Sequence, residues 1–219
     1  MDTSSTSATP RESLMHTPLS FRTTALLSCL LSACASQAFA QEPPAGRAAS
    51  SQERAYMAAM MKAMTPGAPH RVLASMAGEW NVKTKMWMEG APPMESTGTA
   101  TNTMIMEGRY LQSSFRGAMM GMMFEGVGLT AFDNTTGQYQ SVWLDNMSTM
   151  LMYATGAYDP ATKTMTLRTE MNDLLDPSIK VAVREVITIV DADTHTMEMF
   201  ETRAGKESKS LEITYTRKR

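Results

Sequence analysis

Methionine is the residue type with the most distinctive chemistry in this sequence. The chain contains 23 methionines in 219 residues. Thioethers are soft ligands that suit Cu(I), and they oxidise reversibly, so a methionine-rich protein can also consume oxidants. The candidate metal-binding residues are Met119, Met120, Met122 and Met123. Because successive residues of a strand point to opposite faces, this run cannot lie entirely in one core, and we expect some of its thioethers to be exposed.

The other methionines are interpreted mainly as core residues. In the segment 51–64, Tyr56 and four methionines recur at helical spacing, which predicts an apolar face buried against the rest of the protein. Met197 and Met199 have the spacing of one face of a strand. Methionine is an adaptable core filler, so packing is the preferred explanation, and binding of Cu(I) or scavenging of oxidants is the alternative.

Three charged residues lie in segments predicted as strands and are flanked by apolar residues: Arg109, Glu125 and Asp145. Some of them are expected to point inward or to lie at a rim, where an ion pair could hold the polar group of a ligand. The alternative is an exposed or purely structural pair. The candidate ligand-binding residues are His70, Trp80, Arg109, Glu125, Trp143 and Asp145.

Two histidines follow the N-terminal region. His195 lies in the turn-like segment 191–195, which predicts a solvated loop histidine. His70 opens a short helical segment and could lie at one end of a barrel. A haem or metal bound through His70 is an alternative, but a histidine without carboxylate or cysteine neighbours is a weak metal signal. No cofactor is predicted, and Cu(I) and haem are kept as alternatives.

Motifs for catalysis are missing from the sequence. Neither Gly-x-Ser-x-Gly nor His-Glu-x-x-His occurs, and a hydrolase needs a nucleophile with an adjacent base. No catalytic residue is therefore predicted. An enzyme that uses Arg109, Glu125 or Asp145 is a minor alternative.

Residues 1–40 predict an export signal with an N-terminal extension. A polar stretch with Arg22 precedes an apolar run at 25–31, and Ala38-Phe39-Ala40 is typical of a signal peptidase site. The apolar run is shorter than the roughly 20 residues that span a bilayer. We therefore expect a periplasmic or secreted protein that begins at Gln41.

A second processing site competes with Ala40. Leu31-Ser32-Ala33-Cys34 matches the pattern at which bacterial lipoproteins are cut and lipidated on the cysteine, and the acyl chains would then anchor the protein to a membrane. Both cysteines of the chain lie before Ala40, so a chain cut there can form no disulfide. The net charge is −2, and no long basic run predicts binding to nucleic acid.

The rest of the chain divides into three parts that differ in composition and in the spacing of apolar residues. Residues 41–50 are rich in Pro, Gly and Ala and are predicted as a flexible leader, and residues 51–77 as a helical segment. Residues 78–219 alternate between strands of about ten residues and tight turns, with no helix between them. Nine or ten such strands predict an antiparallel up-and-down β-barrel, because closure removes exposed edges. A barrel of this size can hold one small ligand.

Several short motifs follow one another along the chain. They include Pro66-Gly67-Ala68-Pro69-His70, Ala77-Gly78-Glu79-Trp80, Gly108-Arg109-Tyr110-Leu111, Trp143-Leu144-Asp145-Asn146 and Gly156-Ala157-Tyr158-Asp159. In this order they resemble the bacterial domain-of-unknown-function 1579 family, over residues 54–218. The resemblance implies a lipocalin-like barrel, often exported, with no established activity. Phe132 stands where such proteins commonly carry Tyr.

Gly78-x-Trp80 is also similar to the Gly-x-Trp of lipocalins. That similarity implies a tryptophan that closes one end of the barrel, with Arg217 packed over it by a cation–π contact. From these patterns we predict an exported, non-enzymatic barrel that binds a small, partly apolar molecule. A methionine-rich protein that handles copper or oxidants is the alternative, and a haem barrel or an enzyme is less favoured.

Overall fold

The structure is a computed structural model that describes residues 48–219. The predicted export signal, Cys34 and most of the predicted leader lie outside the described residues. No helix in residues 48–219 is long and apolar enough to cross a membrane.

Two helices precede the strands: α1 (Ser51–Met64) and α2 (Ala68–Ser75). The N-cap of α1 is Ser50, whose hydroxyl accepts a hydrogen bond from the backbone N–H of Glu53 at 3.1 Å. The Glu53 carboxylate accepts in turn from the backbone N–H of Ser50 at 2.6 Å. This capping box satisfies two N–H groups that the helix itself cannot bond. The helix begins at Ser51, directly after this cap.

The prediction that α1 buries an apolar face was wrong. None of its residues is buried, and Tyr56, Met57, Met61 and Met64 are all at least half exposed. The helix is held at its C-terminal end, where the side-chain amide of Asn134 donates to the carbonyls of Lys62, Ala63 and Thr65. Helical spacing of apolar residues indicates an amphipathic helix, but it does not show which part of the protein the apolar face contacts.

The prediction of an antiparallel up-and-down barrel is confirmed, with ten strands. They are β1 (Gly78–Met86), β2 (Met94–Ile105), β3 (Tyr110–Met119), β4 (Met122–Asp133), β5 (Gln138–Asp145), β6 (Met152–Asp159), β7 (Thr164–Asn172), β8 (Lys180–Ile189), β9 (Thr194–Arg203) and β10 (Lys206–Arg217). Each strand pairs with the next in sequence, and β10 pairs with β1 to close the sheet. Closure leaves no edge strand open to another chain.

The two ends of the barrel differ. At the end where β1 begins and β10 ends, here called the base, α2 packs on β2, β3 and β4. Inward-facing residues near the base form a tightly buried core that includes Leu73 of α2, Leu111 and Met165. At the opposite end, here called the mouth, the described residues place only loops between strands. Among residues 48–219, a helix therefore covers the base, and only loops lie at the mouth.

Trp80 and Arg217 meet at the base, as the sequence similarity implied. Trp80 is 1% exposed, and its indole N–H donates to the carbonyl of Met76 at 3.1 Å. The Arg217 guanidinium lies 4.2 Å from the indole centroid and donates to the carbonyls of Ala77 at 2.9 Å and Ala192 at 2.8 Å. One side chain thus ties the segment after α2, the turn before β9 and the base together.

Replacing Arg217 with Leu should destabilise the protein by roughly 3 kcal/mol, because the variant loses a cation–π contact and leaves partly buried carbonyls without their charged donor. Arg219→Leu is the matched control, since Arg219 is almost fully exposed and makes one 3.3 Å ion pair with Asp193. Urea unfolding of the two variants measures the difference. Equal unfolding free energies would contradict this role for Arg217.

Candidate functional site

The space enclosed by the strands is here called the lumen. Strand pairing puts Met86, Ser96, Thr169 and Met199 on the inner face toward the mouth, and these four side chains are only partly buried. Val181 and Val183, on the same face near the mouth, are 0% and 2% exposed. The inner face toward the mouth therefore combines packed residues with partly buried ones, and the partly buried side chains are those that a ligand in the lumen would contact.

Apolar side chains surround the entrance. The loops that precede β2, β4, β6 and β8 carry exposed apolar residues at the mouth. They are Met88, Met120, Met150, Leu151, Leu174 and Leu175. Leu174 and Leu175 are 95% and 97% exposed. An entrance of this kind suits a molecule with an apolar part.

One wall of the lumen is built around Trp143. Its ring lies against the inner faces of Gly126 and Gly128, where a Cβ on Gly128 would meet the indole at 3.2 Å and a Cβ on Gly126 would overlap it. Phe124 stacks near the same ring at 6.4 Å, with an angle of 18° between the planes. The indole N–H donates to the Asp145 carboxylate at 3.0 Å. The two glycines therefore make room for a half-buried aromatic surface that faces the lumen.

Glu185 is the one acidic residue among the buried side chains of the described chain. It is 8% exposed, it faces the lumen between Leu167 and Met199, and it has no hydrogen-bond partner among residues 48–219. Burial raises the pKa of its carboxyl to about 7. A buried carboxylate without a partner is costly, so this position is unexpected in a wall that serves packing alone.

Three further buried polar atoms have no partner among the described residues: Thr84 Oγ1, Asn102 Oδ1 and His195 Nδ1. The side chains of all three face inward. The Asn102 amide still donates to the Met76 carbonyl at 2.9 Å. Buried polar groups are nearly always paired with protein or water. Strand register places Asn102 and His195 near the base and Thr84 nearer the mouth.

His195 is buried, and the prediction of a solvated loop histidine was wrong. It lies at the start of β9, 4% exposed, with its ring stacked on Tyr215 at 4.3 Å and edge-on to Trp80 at 4.3 Å. Burial, together with the charge of Arg217, lowers its pKa to about 4. The turn residues before it, Asp191 and Asp193, suggested a loop, but β9 begins at Thr194 and points the imidazole inward.

Four of the predicted ligand-binding residues lie in two pairs, His70 and Trp80 at the base, and Trp143 and Asp145 on the inner face of β5. His70 is 6% exposed in α2, and its Nδ1 accepts from the backbone N–H of Gly67 at 3.0 Å. Its ring meets Phe132 edge-on at 5.9 Å. Trp80 and His70 belong to the packed base, whereas Trp143 and Asp145 face the lumen nearer the mouth.

Arg109 and Glu125 lie elsewhere, which corrects the expectation of an inward pair. Arg109 is not in a strand but in the turn before β3, paired with Glu107 at 3.0 Å. Glu125 is in β4 but faces outward and pairs with Arg116 at 3.3 Å. Both pairs are solvent-exposed and contribute little to stability. The apolar residues beside Glu125 occupy the opposite face of the strand.

The methionine run 119–123 is a hairpin rather than one strand. Met119 ends β3, Met122 begins β4 opposite it, and Met120 and Gly121 form the turn with positive φ. Met120, Met122 and Met123 are at least half exposed, so the expectation of exposed thioethers is confirmed. Pairing puts Met119 and Met122 on the lumen face and Met123 on the outer face, so the four thioethers do not share one surface.

Lumen-facing methionines are more numerous than the sequence analysis indicated. Met86 opposes Met94 across β1 and β2, as Met119 opposes Met122 across β3 and β4. Several others face the lumen from the remaining strands: Met152, Met171, Met197 and Met199. Flexible thioether side chains make a wall that adapts to different apolar shapes.

Glu185 was missed by sequence reasoning, although a signal was present. In β8 the apolar residues Val181, Val183, Ile187 and Ile189 alternate with outward residues, and Glu185 occupies the central apolar position. A charged residue at a position where the alternation calls for an apolar one is the signal that identifies Glu185 in the sequence.

A depression of about 420 Å³ also lies on the outer wall, between β7, β8 and β9. Two guanidinium groups line it. Arg184 is bound to Glu207 by two hydrogen bonds of 2.9 and 2.7 Å and lies 4.1 Å from the ring of Phe200, whereas Arg168 is exposed and has no ion-pair partner among residues 48–219. The depression is shallow and lined mainly by outward-facing polar side chains, so we do not propose it as the binding site.

The stability of the protein should depend on pH through Glu185. The pKa of Glu185 is raised from 4.5 to about 7, so the folded state holds this proton more tightly than the unfolded state does. The resulting contribution to the free energy of unfolding is fully present below pH 4.5 and is lost as the pH rises to about 7. Relative to Glu185→Gln, the wild type should lose about 3 kcal/mol of unfolding free energy over that window. His195 acts oppositely, because its pKa is lowered from 6.5 to about 4 and its contribution is lost as the pH falls through that range.

Urea unfolding at a series of pH values measures the difference in unfolding free energy between the wild type and Glu185→Gln. Because both proteins contain His195, its contribution cancels in that difference. The matched control is Glu170→Gln, because Glu170 is exposed on the outer face of the neighbouring strand β7. The same pH dependence for both variants would show that Glu185 is not buried as described.

Comparisons with known proteins agree with the barrel. No curated protein matches the sequence. Among solved structures, the chain is similar to Rv2717c from M. tuberculosis, with a TM-score of 0.51 and 11% identity over 71% of this chain and 100% of that chain. It is also similar to the S-type phycobiliprotein lyase CPES from Guillardia theta, with a TM-score of 0.49 and 13% identity over 73% of this chain and 97% of that one.

Likeness at such low identity concerns the fold alone. The family comparison is more specific, because a family model matches residues 65–217, which cover the α2 helix and all ten strands. The chain therefore belongs to the family described as protein of unknown function (DUF1579).

Proposed function

We propose that this protein is an exported, non-enzymatic barrel of the cell envelope that binds one small, partly apolar molecule in its lumen. The observation that supports the proposal is the composition of the inner face, where the buried carboxyl of Glu185 and the unpartnered Thr84 Oγ1 lie among partly buried methionines. Ligand pockets are typically apolar with a few polar groups that orient the ligand. The lumen has this composition: methionines and Trp143 for the apolar part, and Glu185 and Thr84 for the polar part.

Export is the part of the proposal that rests on residues 1–40 alone. Cleavage after Ala40 would release the barrel, and lipidation at Cys34 would anchor it. Native mass spectrometry of the protein isolated from its own cells reports the mature N-terminus, any acyl chains and any retained ligand in one spectrum.

Binding in the lumen is tested with N-phenylnaphthylamine, a neutral apolar dye that fluoresces in apolar surroundings. Thr169→Phe adds bulk on the inner face of β7, where Thr169 is partly buried opposite Val183. This variant should bind the dye at least roughly tenfold more weakly than the wild type, because the added ring occupies ligand space. Titration with the dye, followed by its own fluorescence, gives the dissociation constants.

Glu170→Phe is the matched control, since it adds nearly the same bulk on the outer face one residue away. Its affinity should equal that of the wild type. If both variants bind the dye as the wild type does, or if the wild type does not bind it, the lumen is not the binding site.

Binding of Cu(I) at the mouth is a second candidate function, favoured by one observation. Two cross-strand methionine pairs face the lumen there, Met86 with Met94 and Met119 with Met122. Thioether sulfurs suit Cu(I), and these four come from consecutive strands of the barrel.

Replacing these four methionines with Leu should weaken Cu(I) binding at least roughly tenfold, because the soft ligands are removed while apolar bulk is kept. The control replaces Met120 and Met123, which lie in the same hairpin but do not face the lumen. Titration with Cu(I) under reducing conditions measures both affinities. Equal affinities for the wild type and the two variants would eliminate this candidate.

A further inference from the structure

Charge is distributed unevenly between the inside and the outside of the barrel. Among residues 48–219, three carboxylates face the lumen, Glu185, Glu201 and Asp145, as strand pairing shows. The basic residues of β7 and β8 face outward, including Arg184, which is bound to Glu207. Inward basic groups occur only at the two ends of the barrel.

The basic groups at the ends are occupied by other partners. Arg217 lies on Trp80 and donates to backbone carbonyls at the base. Arg203 at the mouth is paired with Asp173 and Glu201. Glu185 lies between the two ends and has no cation beside it within the described chain. A buried carboxyl of this kind is stabilised by a ligand, by water or by remaining protonated.

We propose that the ligands of the lumen are hydrophobic amines, whose protonated nitrogen pairs with the carboxylate of Glu185 while the apolar part contacts the aromatic and methionine wall. This inference rests on the proposed function, since it names the chemical class that the same lumen selects. An anionic ligand is disfavoured, because it would meet three inward carboxylates and no free cation on the inner face of the described residues.

The aromatic residues support a cation in the same space. Trp143 presents a half-buried indole to the lumen, and Phe115 and Phe124 meet edge-on at 5.5 Å beside it. Aromatic faces attract ammonium groups, more strongly when water is excluded. The wall therefore suits both the apolar part of an alkylamine and the carbon atoms that flank its charged nitrogen.

Pairing with an amine should depend on pH through Glu185. Leu167 on β7 and Met199 on β9 lie directly opposite it, and Tyr215 on β10 is close enough to feel its charge. The other polar or titratable groups on the inner face are Thr169, Glu201, His195, Tyr139, Asp145 and Tyr158. Burial keeps His195 neutral above pH 5 by lowering its pKa, and it raises the pKa of Tyr139 and Tyr215. Glu201 is held in its ion pair with Arg203.

The test compares decylamine with decanol, which have the same chain and differ in charge, as competitors of N-phenylnaphthylamine bound to the full chain. At about pH 8, decylamine should displace the dye from the wild type at a concentration at least roughly tenfold lower than decanol does. Glu185→Gln should lose the preference, so that the two compounds displace the dye from it at similar concentrations. Lowering the pH to about 5 should remove the preference from the wild type, because Glu185 becomes protonated.

Glu201→Gln is the matched control, since it removes another inward carboxylate and should retain the preference for decylamine. Equal displacement by decylamine and decanol from the wild type would overturn the inference while leaving the proposed function intact. So would a preference that survives in Glu185→Gln or is lost in Glu201→Gln. If neither compound nor the dye binds, both the inference and the proposed function fail.

Discussion

The packing of Arg217 on Trp80 is the interaction on which the rest of the structure depends. Trp80 belongs to the first strand and Arg217 to the last, and they are directly paired where the barrel closes. The guanidinium also reaches the carbonyl of Ala77, just after α2, and that of Ala192, in the turn before β9. Closure of the sheet, position of the helix and sealing of the base are thus determined at one point.

A sealed base makes the other end the route into the barrel. Two buried clusters stabilise the barrel: one near the base that includes Met165 and Leu167, each 1% exposed, and one that includes Trp80, Phe115 and Phe124. Several inward methionines nearer the mouth remain partly exposed beside them. The same ten strands therefore provide both the core and the side chains that a ligand would contact.

Glu185 lies in the wall of the barrel, where it weakens the fold above neutral pH rather than strengthening it. Violations of packing rules that have no structural compensation are characteristic of functional sites. The indole of Trp143 also lies where ordinary side chains would not allow it, because only residues without a Cβ, Gly126 and Gly128, leave space for the ring. A carboxyl without a partner and an aromatic surface without a covering residue are together what a hydrophobic amine would complement.

The sequence by itself determined the barrel. Period-two alternation, regular turns and the absence of helices after Gly78 require antiparallel neighbours, and closure follows from the number of strands. The packing of Arg217 on Trp80 was implied by the similarity of Gly78-x-Trp80 to the Gly-x-Trp of lipocalins. These features depend on near neighbours in the sequence or on the order of strands.

Only the tertiary structure decided which residues face the lumen and which side chains are exposed to solvent. A shift of one residue in strand register reverses every side chain, so the sequence could not place Glu125 outside and Asp145 inside. Likewise, the spacing of methionines in α1 is the same for a buried and an exposed face. His195 and Glu185 acquired their roles because strands far apart in sequence enclose them, and enclosure is a property of the closed barrel rather than of any segment.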